Sequence, residues 1–174
     1  MKIAIVGYSG SGKSTLAQIL SELYGVDALY LDAVHFLPQW KERPREEEYE
    51  LVKKFLDTHE KEGWVVDGTY SRLEFQRRME EADEIVFLDL NRFTCLFRAL
   101  KRYKNNKGKT RVSMAEGCEE KMDFSFVWWI LWVSRQKKRR KKFEYLIKNY
   151  PQKIRVLKNQ RQLDKYIKEK KTFI

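Results

Sequence analysis

Eight consecutive residues, Gly7 to Ser14, read GYSGSGKS, a GxxxxGKS spacing that suits the cradling of a polyphosphate. Gly10 and Gly12 let backbone N–H groups of the loop face phosphate oxygens, and Gly7, Ser9 and Ser11 complete the cradle. A helix that starts here adds its positive end to the same anion. Lys13 supplies a mobile charge for the β- and γ-phosphates of ATP. The Ser14 hydroxyl is a hard ligand of the kind Mg²⁺ prefers, and Thr15 faces the α-phosphate or caps the turn. ATP and Mg²⁺ are therefore the expected cofactors.

Three apolar runs end in aspartate: LYLD at Asp32, VVDG at Asp67 and FLDL at Asp89. In open α/β sheets ligands bind at the carboxyl ends of strands. Asp67, followed by the permissive Gly68, is the candidate for a second Mg²⁺ contact through water. Asp32 is placed to take a proton from an attacking hydroxyl, with His35 one turn on as competitor or orienting partner. Asp89 reads as a loop residue. In HFLPQW, Phe36 and Trp40 either stack on a substrate ring or cover the sheet edge. Arg98 and Arg102 are four apart on an expected helix and share one face. With Arg111, they are candidates to meet the charge that develops in phosphoryl transfer.

These residues need a scaffold of alternating strands and helices. The apolar runs predict strands at Lys2 to Val6, Ala28 to Leu31, Trp64 to Val66, Glu84 to Leu88 and Lys153 to Leu157. Helical spacing predicts helices over Lys13 to Tyr24, Arg45 to Glu62, Ser71 to Glu81, Arg92 to Tyr103, Phe126 to Tyr150 and Leu163 to Lys170. Five strands alternating with helices predict an α/β fold, a parallel sheet with helices on both faces. The polar stretch Lys104 to Asp123 reads as a lid-like insertion at about 104–125 within one domain spanning residues 1–174. The aromatic block Phe124 to Val133 and the Met residues are expected in the core.

The 174 residues carry a net charge of +11, divided into −7 over residues 1–90 and +18 over residues 91–174. The run Arg135 to Lys142 (RQKKRRKK) holds seven basic residues in eight and reads either as the solvated end of one long helix or as a polyanion contact. The asymmetry points to a polyanionic partner, a description that nucleic acid, a membrane surface or nucleotide phosphates would each satisfy, so DNA bound through this basic half stands beside a small-molecule phosphate acceptor among the candidate partners. Two cysteines and no apolar run near the roughly 20 residues of a membrane span point to a cytoplasmic protein without disulfides or membrane attachment.

Taken together, GYSGSGKS, LYLDAVHFLPQW, VVDGTYSR and EGCEEKMDFSF resemble the DNA topology modulation protein family, a branch of the adenylate-kinase-like P-loop proteins. The resemblance covers nearly the whole chain. It implies a three-layer P-loop NTPase fold of the nucleoside-monophosphate-kinase kind, with strand order 2-3-1-4-5, ATP binding and an arginine-bearing lid. Adenylate kinases carry a DGxPR-like segment after the third strand. Here the proline is missing and Arg72 comes one position late, so Arg72 is carried over as a substrate-binding residue beside His35, Trp40 and Arg111. Lys158, Asn159 and Gln160 sit where such kinases pass the chain around adenine. The expected activity is transfer of the ATP γ-phosphate to a nucleoside-like or nucleotide-like acceptor. The alternative is a nucleic-acid-binding protein that uses ATP as a switch.

Overall fold

A computed structural model describes residues 1–172 of the chain. Strand β1 (Lys2–Gly7) leads through the glycine-rich loop into helix α1 (Lys13–Tyr24), which ends at Gly25 in the left-handed conformation. Strand β2 (Asp27–Tyr30) passes directly into the short helix α2 (Leu31–His35). A two-stranded ribbon follows, β3 (Phe36–Leu37) and β4 (Lys41–Glu42), and then helix α3 (Arg45–Thr58). Strand β5 (Trp64–Asp67), helix α4 (Phe75–Glu81), strand β6 (Glu84–Leu88) and helix α5 (Arg92–Asn106) continue the alternation. After an irregular arm come α6 (Phe124–Leu131), α7 (Lys137–Asn149), β7 (Ile154–Leu157) and α8 (Gln160–Thr172).

The main sheet has the order β2-β5-β1-β6-β7, all parallel. Numbered along the chain, its strands run 2-3-1-4-5, as expected, with helices on both faces. The three central strands are buried almost throughout, which is why they read as unbroken apolar runs. In register, Ile5 of β1 pairs with Asp67 of β5, so the chain leaves β1 two residues beyond the aspartate.

Two expectations are corrected. The single helix expected from Phe126 to Tyr150 is three pieces: α6, a short 3₁₀ turn at Val133–Arg135, and α7, with Gln136 extended between them. The break lies before Lys137, where Trp132 and Gln136 leave helical dihedrals, and Lys137 to Lys142 are helical within α7. The break also sends Arg135 back over the Tyr8 ring, 3.4 Å from its centroid, and onto the Leu90 carbonyl at 2.7 Å. The aromatic block is likewise not all core. Ile130 is buried, whereas Phe124, Trp128 and Trp132 are exposed and stack along one side of α6.

One buried cation organises the segment after β5. Arg78 of α4 is fully buried and donates to the carbonyls of Leu73, Gly68 and Tyr70 at 2.8, 3.1 and 2.8 Å. Burial pulls its pKa down to about 9, leaving it charged at neutral pH. Arg78→Met keeps bulk but leaves three carbonyls without their donor. Urea unfolding is expected to show a loss of about 3 kcal/mol, the scale for hydrogen bonds to a buried charged group.

Candidate active site

The phosphate loop owes its shape to backbone that only glycine adopts easily. Gly10 and Gly12 have φ of 78° and 96°, and a Cβ on Gly10 would run into the Cys95 carbonyl of α5. No side chain caps the start of α1 and no acid sits in its first turn. Its N–H groups therefore remain available to an anion. Ser9, Gly10, Gly12, Lys13, Ser14 and Thr15 line a cavity of about 720 Å³. Gly7 and Ser11 support the loop from beneath: Gly7 exchanges hydrogen bonds with the Thr69 hydroxyl, and Ser11 is fully buried. Lys13 Nζ folds back onto the Tyr8 carbonyl at 3.1 Å.

Ser14 Oγ donates to Asp67 Oδ2 at 2.6 Å, joining the first turn of α1 to the end of β5. Asp67 is buried, and its other oxygen, Oδ1, has no hydrogen-bond partner among the described residues. Burial pushes the carboxyl pKa up to about 6, opposed mainly by Lys13 and reinforced by Asp32. An orphaned buried carboxylate oxygen beside a serine hydroxyl is a donor set that fits Mg²⁺, a hard cation held by few protein oxygens and its own waters.

Asp32, on α2, faces the same cavity. Its Oδ1 accepts from the Tyr70 hydroxyl at 2.8 Å. Burial and the Asp32 charge raise the Tyr70 pKa, so the phenol stays a donor. Tyr70 was not singled out from sequence, because a tyrosine in DGTYSR carries no spacing signal. Phe36 and Trp40 also line the cavity, their rings 5.2 Å apart and edge-on. Gln39 and Trp40 both have φ of 62°, strained for non-glycine residues, and Trp40 Nε1 is fixed to the Glu119 carbonyl at 3.0 Å. Phe126 and Trp129 of α6 add aromatic surface, and Trp129 Nε1 donates to Ser9 Oγ at 3.2 Å.

All three expected arginines reach the cavity. Arg98 binds the Ser11 carbonyl and the Gln160 side chain, so it spans the phosphate loop and the start of α8. Arg102 and Arg111 both engage the buried Glu120. His35 and Arg72 are engaged elsewhere. Both bind Glu48, a fully buried carboxylate of α3: His35 Nδ1 at 2.6 Å and Arg72 Nε at 3.0 Å. Neither lines the cavity, and the trio braces α2 and the segment after β5 against α3. Glu48 was hidden in the acidic run REEEYE, where every carboxylate looks solvated. At the far side, Gln160, Leu163 and Ile167 of α8 line the cavity, while Asn159 caps that helix through Gln162 N at 3.0 Å.

The basic run is divided. Arg135 serves Tyr8 and Leu90, Arg139 lies 4.2 Å over Trp129, and Lys142 donates to the Thr69 carbonyl at 2.9 Å. Lys137, Lys138, Arg140 and Lys141 are exposed. No helix among the described residues is long and apolar enough to cross a membrane.

A cradle for polyphosphate at the end of β1, with a serine and a strand-end carboxylate joined behind it, defines a P-loop protein of the nucleotide-kinase-like fold. The family model described as AAA domain matches residues 3–120, and the chain belongs to that family. Among solved structures, the fold is similar to deoxyadenosine kinase from M. mycoides with dCMP and a flexible dCDP, at 17% identity, TM-score 0.53 and full coverage of both chains. The dATP-bound form of that enzyme matches at 17% identity and TM-score 0.52, over 99% of this chain and 96% of that one. Shikimate kinase from Bacteroides thetaiotaomicron matches at 16% identity and TM-score 0.55, over 99% and 97%. The comparison with curated proteins finds no match.

The raised pKa of Asp67 carries a sign. A carboxyl that ionises less readily in the folded than in the unfolded chain lowers stability as pH rises from about 4 through 6, by on the order of 3 kcal/mol. Asp67→Asn is therefore expected to raise the melting temperature of the nucleotide-free protein at pH 7.5 by at least about 3 °C. It is also expected to abolish the further rise that Mg-ATP gives the wild type. Differential scanning calorimetry with and without Mg-ATP checks both.

Proposed function

We propose that the protein is a Mg-ATP-dependent phosphotransferase that moves the γ-phosphoryl group of ATP to a hydroxyl of a small, ring-bearing acceptor of the nucleoside or nucleotide kind. The observation that carries this reading is that the phosphate loop, Ser14 and the Asp32 carboxylate line one pocket rich in aromatic rings, with Asp67 hydrogen-bonded to Ser14. The fold likeness to deoxyadenosine kinase and shikimate kinase, both named as kinases of small molecules, agrees with it. So does the resemblance of the motifs to the DNA topology modulation family.

Each residue has a role. The loop N–H groups and Lys13 hold the β- and γ-phosphates, Lys13 leaving the Tyr8 carbonyl for them. Ser14 and, through water, Asp67 would hold Mg²⁺, which neutralises charge on the β- and γ-oxygens. Ile19 of α1 and Leu163 and Ile167 of α8 offer apolar cover for the adenine. Phe36, Trp40 and Tyr70 receive the acceptor ring, and His35 and Arg72 act through Glu48 as supports of that wall. Asp32 accepts the proton of the acceptor hydroxyl as its oxygen bonds to the γ-phosphorus. The bond from that phosphorus to the β–γ bridging oxygen breaks, and ADP leaves with the electron pair. Arg98, Arg102 and Arg111 stabilise the transferring group. The segment at about 104–125 closes over the pocket and excludes water as a competing acceptor.

The alternative of a DNA-binding protein with ATP as a switch has less to rest on, because Arg135, Arg139 and Lys142 are engaged within the chain. Incubation with Mg-ATP across nucleosides, nucleoside monophosphates and short DNA, with ADP release as readout, separates the readings. Acceptor-dependent release is expected with a nucleoside or its monophosphate. It should fall at least about a hundredfold in Lys13→Ala and in Asp32→Asn. Release stimulated by DNA alone would overturn the proposal.

A further inference from the structure

The segment EGCEEKMD contributes no side chain to the roles above, yet it is tied into the site at several points. The Gly117 carbonyl accepts from Gln39 N at 3.3 Å, and Cys118 Sγ lies 3.2 Å from the Leu37 carbonyl. The Glu119 carbonyl accepts from Trp40 Nε1 at 3.0 Å, and Glu119 forms a β-bridge with Thr110. Between these ties Glu120 turns inward, its side chain 3% exposed. It meets Arg102 Nε of α5 at 3.1 Å and Arg111 Nε of the arm, and Arg111 Nη1 also donates to Ser113 Oγ at 3.1 Å. One buried carboxylate thus holds two guanidiniums that line the nucleotide cavity, on the strand of chain that also anchors Trp40 over the acceptor wall.

We propose that Glu120 is a positioning residue that fixes Arg102 and Arg111 for the transferring phosphoryl group and links their placement to the acceptor wall. The proposal rests on the phosphotransfer reading above. Two arginines side by side repel each other and sample many rotamers, and a shared carboxylate removes both problems before substrate arrives. Because Glu120 touches the arginines and not the cavity, its removal should spare binding of the ground-state nucleotide. The loss should fall on the state in which charge spreads over the γ-phosphoryl oxygens.

The test uses the full chain with Glu120→Gln, which keeps the shape and removes the charge, and Glu120→Asp, which keeps the charge and shortens the reach. Steady-state kinetics with the acceptor found for the wild type gives kcat and the KM for ATP. Calorimetry gives affinities for the β,γ-imido analogue of ATP and for Mg-ADP with aluminium fluoride, a planar mimic of the transferring group. Glu120→Gln is expected to lower kcat and aluminium fluoride affinity by about 30-fold or more, with KM and imido-analogue affinity within about threefold. Glu120→Asp should fall between that variant and the wild type on both measures. If Glu120→Gln does not fold, the same split in Glu120→Asp decides alone. Unchanged kcat and mimic affinity in a folded variant, or an equal loss for analogue and mimic, overturns the proposal. A wild type that shows neither acceptor-dependent ADP release nor a preference for the fluoride complex overturns the phosphotransfer reading itself, and this inference with it.

Discussion

The bond between Ser14 and Asp67 is the constraint on which the site depends, because it fixes the start of α1 against the end of β5. It is possible only in the observed register, with Ile5 opposite Asp67 and β1 running on to Gly7 before the loop turns. A slip of one residue would turn the aspartate side chain to the other face of the sheet. The pair also holds a carboxylate where burial opposes its charge, with one oxygen lacking a partner. Such a group lowers the stability of the empty fold and is retained where something else completes it. The strain at Gln39 and Trp40 has the same logic on the acceptor side.

The sheet was legible because its central strands are buried on both faces and leave unbroken apolar runs, so Glu84 to Leu88 was placed to the residue. The phosphate loop was legible because glycine and lysine spacing there follows from backbone geometry alone. Edges were less so: β2 starts one residue earlier than its apolar content suggests, and LDAVH is a helix too short to show a period. The break between α6 and α7 depends on Arg135 reaching Tyr8 and Leu90, contacts far apart in sequence. For the same reason Glu48, Arg78 and Glu120 escaped notice. Each is a charged residue in a charged neighbourhood, and only the tertiary fold shows which one turns inward.

Those three buried charges divide the work of holding the site. Glu48 fixes His35 and Arg72 beneath the acceptor wall, Arg78 gathers the carbonyls of the segment that carries Tyr70, and Glu120 collects two arginines of the cavity. A buried ion pair is weak support for stability in itself, since desolvation cancels much of its attraction. Here Glu48 and Glu120 join separate segments and Arg78 ties down the turn that precedes it, so their effect is on geometry: they leave the site's polar groups few ways to be arranged. Preorganised charge of this kind is what phosphoryl transfer requires, since the chemistry leaves the protein mainly positioning and electrostatics to supply.

The uneven charge of the two halves takes its meaning from the same cavity. Residues 1–90, with their −7, provide Asp32 and Asp67, a proton acceptor and a metal ligand. Residues 91–174, with their +18, provide Arg98, Arg102 and Arg111 on α5 and the arm, which line the same cavity as Asp32. Lys13 is the exception, a cation of the acidic half placed where the phosphates must lie. Four cations, Lys13, Arg98, Arg102 and Arg111, and two carboxylates, Asp32 and Asp164, line the cavity, an excess of positive charge that attracts a polyphosphate before any specific contact forms. The sign of the C-terminal half is thus accounted for in part by an anion the size of a nucleotide, and a longer polyanion is not needed to explain why those arginines are there.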